Sequence, residues 1–224
     1  MIEERPKTTY VLIAINTIIW VMINLFLTRQ NQLASFLYTF GVVPIFVLNG
    51  LNYFSLLTYM FVHVDFFHIL LNMYSLFLFG RDVELYLGRG KFLFVYLLSG
   101  VAAALFHIFY FVVFLSLECS PTMRPIPQAC LIPSIGASGA IFGIMGSYLL
   151  FFPFRRLYAF LWLVPVVAPA FAVIIGFILI QTVFMLTTPF STIAYTAHVG
   201  GFLAGLTLSL PLRRTRREEW FFYG

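Results

Sequence analysis

Four side chains in an otherwise apolar sequence could do chemistry together: Ser138, His198, His68 and Asn72. A serine hydroxyl becomes a nucleophile when an imidazole takes its proton, and donors aimed at the attacked carbonyl stabilise the oxyanion that forms. His68 and Asn72 are four residues apart, so on a helix they point the same way, and both can donate hydrogen bonds. Ser138 opens a glycine-rich stretch, where the N–H groups of a helix start lack intrahelical partners. Nucleophile, general base and oxyanion donors are the parts of an acyl-transfer site. No acidic third member is evident, because Asp65 is the only acid nearby and sits at the outer end of its segment, either solvated or paired with His63. The expectation is a Ser138/His198 dyad.

The bland alternatives are familiar. A lone serine in a glycine-rich membrane helix is ordinarily a packing residue, and a lone histidine is as often a hydrogen-bond donor between helices. His107, with no polar companion in sequence, is read as packing. Other chemistries fit poorly: there is no HExxH stretch, no pair of membrane aspartates and no closely spaced Cys/His set, so neither metal nor cofactor is expected. A transporter would call for discontinuous helices in corresponding halves, which are not evident.

The elements that must hold these groups are membrane spans. Of the 224 residues 62% are hydrophobic and only 9% charged, which excludes a water-soluble domain. Long apolar runs give six spans: Tyr10 to Thr28, Tyr59 to Phe79, Phe92 to Leu117, Ala137 to Phe152, Tyr158 to Leu186 and Ala194 to Leu212. The first lacks a signal-peptide cleavage site and is expected to remain as a membrane helix. The stretch 29–54 is apolar too, but its densest part is short and contains Pro44, so it is read as an interfacial or re-entrant first outer loop. The expected organisation is a short cytoplasmic tail (1–9), an all-α six-helix membrane domain (10–212) and a basic cytoplasmic tail (213–224).

Charge orients the spans. The 13 Lys and Arg exceed the 8 Asp and Glu, giving a net charge of +5. Arg5, Lys7, Arg81, Arg89, Lys91, Arg155, Arg156, Arg213, Arg214, Arg216 and Arg217 fall on one side of a six-span chain, leaving Arg29 and Arg124 on the other. The positive-inside rule then places both termini in the cytoplasm, and the basic surplus needs no nucleic acid to account for it. Cys119 and Cys130 share the outer loop between spans 3 and 4, where they are either joined in an oxidising compartment or free.

Depth brings the chemistry together. Ser138 stands 17 residues before Arg155 and His198 15 before Arg213, or roughly 25 and 22 Å of helix above the cytoplasmic charges. Both therefore lie a little beneath the outer face of a core about 30 Å thick. Gly201 and Gly205 form a GxxxG pair on the face of His198, and Gly139, Gly143 and Gly146 line one side of the fourth span, so the two helices can approach closely. Thr196 accompanies His198; spans 1 and 5 have few comparable groups.

At these residues the sequence resembles the rhomboid intramembrane serine proteases. Three stretches carry the likeness in order: His63-Val64-Asp65-Phe66-Phe67-His68-Ile69-Leu70-Leu71-Asn72, Gly136-Ala137-Ser138-Gly139-Ala140-Ile141-Phe142-Gly143, and Ala197-His198-Val199-Gly200-Gly201-Phe202-Leu203-Ala204-Gly205. The likeness is to the basic six-helix bacterial and archaeal form. It implies Ser138 as nucleophile, His198 as general base, His68 and Asn72 around the oxyanion, and Phe142 packed on the histidine. Gly136, His63, Gly201 and Gly205 are expected to support the site, and Glu84, Gly88 and Tyr96 to be structural. The resemblance implies peptide-bond hydrolysis in transmembrane protein substrates within a lipid bilayer, at a prokaryotic plasma membrane, with the site opening extracytoplasmically and span 5 as lateral gate. A catalytically inactive rhomboid-like protein that binds or escorts membrane helices is the rival. One departure stands out: 29–54 contains no Trp-Arg pair, which many members carry there.

Overall fold

The structure is a computed structural model describing residues 5–122, 124–161 and 164–213. Arg214, Arg216 and Arg217 of the expected basic tail lie outside the described residues. Helix α1, Lys7–Phe26, buries Thr9, Leu12, Asn16 and Ile23 along one stripe, with Ile13 and Trp20 half-buried beside it. Two short helices follow, α2 (Gln30–Phe40) and α3 (Pro44–Leu48), divided near Gly41, and neither is long enough to span a bilayer core. Pro44 starts α3, where its missing N–H costs nothing.

The expected second span is broken. Helix α4 (Ser55–Thr58) runs into a 3₁₀ turn at Tyr59–Phe61, and the chain resumes at α5 (Phe66–Ser75), which continues through a π turn into α6 (Arg81–Leu87). The two pieces meet at 96°. Asp65 makes the break: its carboxylate accepts the His68 N–H at 2.8 Å, an N-cap that begins a new helix instead of extending the old one. The freed Val64 carbonyl accepts from Trp20 Nε1 at 3.1 Å. Asp65 is thus a helix cap, not a partner of His63.

Helix α7 (Arg89–Phe109, extended by a π turn to Phe114) lies beside α8 (Ser138–Phe151), and α8 in turn lies against α10 (Tyr195–Ser209). Between α8 and helix α9 (Ala170–Thr187) the chain forms an antiparallel ribbon of β1 (Arg156–Leu161) and β2 (Val164–Pro169), pairing Arg156 with Pro169 and Leu161 with Val164. The fifth span therefore begins at Ala170 and not at Tyr158. Pro165 and Pro169 cannot sit inside a helix, and Val164, Val166 and Val167 suit a strand.

The protein is a multi-pass helical bundle, but helix length does not yield six crossings. Among the described residues, Lys7–Phe26, Arg89–Phe114 and Ala170–Thr187 are long and apolar enough to cross, and the bent pair at 55–87 is a fourth. α8 has 14 residues and α10 has 15, short of the roughly 20 that span a bilayer core. The shortness of α8 has a physical reason: every residue from Gly139 to Tyr148 is buried, so protein and not lipid surrounds it.

At one end of the bundle Glu84 is 2% exposed, and its carboxylate accepts from the N–H groups of Thr8 and Thr9 and the Thr9 hydroxyl, each at 2.7 Å. A buried carboxylate thereby satisfies the orphan donors of the α1 N-terminus and meets the positive end of its dipole. Arg155 and Asp82 form a 3.1 Å ion pair, and Tyr148 donates to the same carboxylate at 3.2 Å. At the other end, Cys119 and Cys130 form a disulfide that packs with Val43 and Ile45 in a small separate core, and Val42 and Ser134 exchange backbone hydrogen bonds. Replacing Glu84 by Ala strands the buried Thr9 N–H and the half-buried Thr8 N–H, and thermal unfolding in detergent should show a loss of about 3 kcal/mol. A loss no larger than that of an exposed-site control would contradict the capping role.

Candidate active site

The contact between α8 and α10 is backbone against backbone. A Cβ on Gly201 would overlap the Gly139 carbonyl, one on Gly205 would overlap Gly143, and one on Gly146 would come 2.5 Å from the Phe202 carbonyl oxygen. Small residues of α7 close the opposite side: a Cβ on Gly139 would lie 2.7 Å from that of Ala103, and Ser99 fills the space beside Gly143. Toward the C-terminal ends of the two helices, the Ser147 and Ser209 hydroxyls bond at 2.7 Å. With these axes fixed, the N-terminal ends of α8 and α10 stand side by side, and His198 Nε2 lies 2.8 Å from Ser138 Oγ.

Ser138 is the first residue of α8. The turn before it is shaped by Gly136, whose φ of +111° is a conformation that residues with a Cβ rarely adopt. The Gly136 N–H donates to the Tyr59 carbonyl at 2.9 Å, and that of Ala137 to His63 Nε2 at 3.3 Å. The first intrahelical bond runs from Ile141 to Ala137, which leaves the N–H groups of Ser138, Gly139 and Ala140 as the open donors of the helix start.

His198 is 9% exposed and held on several sides. Phe142, one turn after Ser138, stacks on it with centroids 4.5 Å apart and planes within 8°, and Tyr195 meets it edge-on at 6.3 Å. Its Nδ1 lies 2.6 Å from Gln181 Oε1 in α9. Gln181 was not singled out from sequence, yet a signal existed: it is a polar amide in the middle of an apolar span, and such groups at membrane depth default to a functional reading.

His68 lies directly against the turn before Ser138, since a Cβ on Gly136 would be 2.5 Å from its Nε2. Asn72 is buried one turn further along α5 and donates to the His68 carbonyl at 2.9 Å. Among the described residues, neither hydrogen-bonds Ser138 or His198; His68 meets the turn before Ser138, and Asn72 reaches it only through the His68 backbone. His63 is fully buried, edge-on to His68 at 4.9 Å, and supports the turn through Ala137. His107 has polar companions that sequence did not reveal: Nδ1 meets the Thr196 hydroxyl and Nε2 the Ser134 hydroxyl at 3.2 Å. It joins the chain two residues before His198 to the chain four residues before Ser138, and its own partners stand 89 and 27 positions away, where no local pattern marks them.

A hydroxyl hydrogen-bonded to an imidazole whose other nitrogen is also bonded can be deprotonated in place, and open N–H donors beside it can receive an oxyanion. A model of the rhomboid domain matches residues 50–215 of this chain. Rhomboid protein 1, mitochondrial, of Saccharomyces cerevisiae is 33% identical over 105 residues, covering 47% of this chain and 27% of that protein. The putative rhomboid protease YdcA of Bacillus subtilis is 30% identical over 155 residues, 69% of this chain and 67% of its own length. The rhomboid protease GluP of the same organism is 28% identical over 145 residues, 65% of this chain and 24% of GluP. The chain thus spans well under a third of the yeast protein and of GluP.

Helix separation is the quantity to perturb. Gly201→Val drives a side chain into the Gly139 carbonyl; a displacement of about 1 Å at the Ser138–His198 pair should slow fluorophosphonate labelling of Ser138 about 100-fold. Gly176→Ala on α9, where nothing lies within 4 Å, should label at the parental rate. Equal labelling of parent and Gly201→Val would show that the close approach does not set the geometry.

Proposed function

The chain belongs to the rhomboid family, and we propose that it is an intramembrane serine endopeptidase that cleaves transmembrane segments of membrane proteins. The observation that carries the proposal is the 2.8 Å contact between His198 Nε2 and Ser138 Oγ inside an apolar helical bundle. Ser138 is the nucleophile and His198 the general base. Oγ attacks the scissile carbonyl carbon as its proton passes to Nε2. The oxyanion is received by the N–H groups at the start of α8, with His68 and Asn72 as its side-chain donors. The imidazolium then protonates the leaving amine, and water, deprotonated by the same nitrogen, releases the acyl group and restores the serine. No cofactor takes part. Phe142, Gly136, His63, Gly201 and Gly205 are supporting residues.

The orientation that goes with this function is of the six-helix prokaryotic type, in which α8 and α10 complete the crossings despite their length. In this topology 1–9 and 213–224 are cytoplasmic tails, 10–212 is the membrane domain, and the site opens toward the extracytoplasmic side of the cell membrane. Support comes from the ends of the bundle: Lys7, Arg81 and Arg155 collect with Glu84 and Asp82 at one end, while Ser138 starts α8 13 residues, or about 20 Å, before its inner terminus. A substrate helix must open locally to present a peptide bond, which favours small or helix-breaking residues at the cut.

Purified protein in liposomes with a transmembrane peptide should cleave it, and Ser138→Ala and His198→Ala should abolish both cleavage and labelling. His68→Ala and Asn72→Ala should each lower kcat about 100-fold with little change in KM, as expected for donors used in the transition state. Undiminished cleavage by Ser138→Ala would overturn the proposal. A parent that captures membrane helices without cutting or labelling would instead fit the inactive, helix-binding reading.

A further inference from the structure

We propose that Gln181 is a positioning residue for the general base, so that the catalytic imidazole is held by a third helix and the site is a Ser138–His198–Gln181 line instead of a free-standing pair; this rests on the peptidase proposal above. To take the serine proton, Nε2 must present its lone pair, so the neutral ring carries its hydrogen on Nδ1 and that N–H needs an acceptor. Among the described residues, the acceptor that meets Nδ1 is Gln181 Oε1, at 2.6 Å. A carboxamide turned the other way would offer N–H to Nδ1, favouring hydrogen on Nε2, a tautomer that cannot accept the serine proton. The orientation of one amide therefore selects the working tautomer. When the ring becomes imidazolium, the same bond turns charge-assisted and strengthens, which is stabilisation gained during reaction and not before it.

The placement of Gln181 supports a dedicated role. α9 is otherwise apolar or self-satisfied: Thr182 and Thr187 return their hydroxyls to the carbonyls of Ile178 and Val183 in their own helix. Gln181 alone among the three is spent outside the helix, and it is 9% exposed while Leu179, Ile180 and Val183 beside it are more than half exposed. A long amide in an apolar span is expensive unless its partner matters. Its hold also differs in kind from that of Phe142. Stacking at 8° fixes the plane of the ring but is compatible with a 180° flip about the Cβ–Cγ bond, and the Nδ1 bond selects one of the two orientations.

The test uses the full-length protein. Gln181→Leu should lower kcat for a transmembrane peptide about 10- to 100-fold, the scale of losing a histidine-orienting partner, with KM within about twofold of the parent. Gln181→Glu, which keeps an acceptor at the same reach, should recover most of that loss. Imidazole ¹⁵N NMR, assigned by subtraction of the His198→Ala spectrum, should show His198 protonated on Nδ1 in the parent and a mixture of tautomers in Gln181→Leu. If Gln181→Leu does not fold, Gln181→Met, closer in length, takes its place. Parental kcat in the apolar variant, no recovery by Gln181→Glu, or an unchanged tautomer would overturn the proposal. The NMR measurement reads the hold on the ring whether or not any peptide is cut, so its result stands apart from success or failure of the peptidase assignment.

Discussion

The structure depends on the absence of side chains between α8 and α10. Lipid tails are as apolar as leucine, so two membrane helices gain little by simple burial; what they gain comes from close packing and from polar contacts. Gly139, Gly143, Gly201 and Gly205 let the backbones touch. Once the axes are that close, a serine on one helix and a histidine on the other come within hydrogen-bond distance with no bend or loop to deliver them. The polar groups then need support from elsewhere, and it arrives from different directions: Phe142 over the face of the ring, Gln181 at its far nitrogen, and His63 under the turn. Each supporting group sits on an element whose own position follows from packing on the glycine seam or on α7.

Much of this was legible in the sequence because the code for close helix approach is local. Glycine spacing in two runs marked the seam, and counting helix rise placed Ser138 and His198 at one level without knowledge of the loops. The stacking of Phe142 followed from the resemblance.

What escaped was either nonlocal or hidden by hydropathy. The run 158–186 is apolar throughout, and hydropathy does not distinguish a β ribbon from a helix; Pro165 and Pro169 are the signal that divides it. The break before α5 turns on a single carboxylate, Asp65, accepting one N–H. Gln181 and His107 each sit alone in apolar runs, and their partners, His198 and Thr196, come from other helices. A cluster in space needs only one polar member per helix, so a single polar residue in an apolar run carries no local mark of the cluster it joins. α8 and α10, with 14 and 15 residues, fall short of the length that spans a bilayer core, and hydropathy alone did not foretell how short they are.

The shortness of α8 reaches beyond counting. Its ten residues from Gly139 to Tyr148 are enclosed by protein, so the level of Ser138 is set by the bundle and does not follow the membrane. An ordinary single helix adapts to a thicker or thinner bilayer by tilting or shifting. The serine keeps its level while any helix standing beside it moves, so which residue of that neighbour comes level with the hydroxyl is a property of the lipid as well as of the two sequences. The buried helix works as a fixed ruler against a sliding scale, and membrane thickness decides where on the scale it reads.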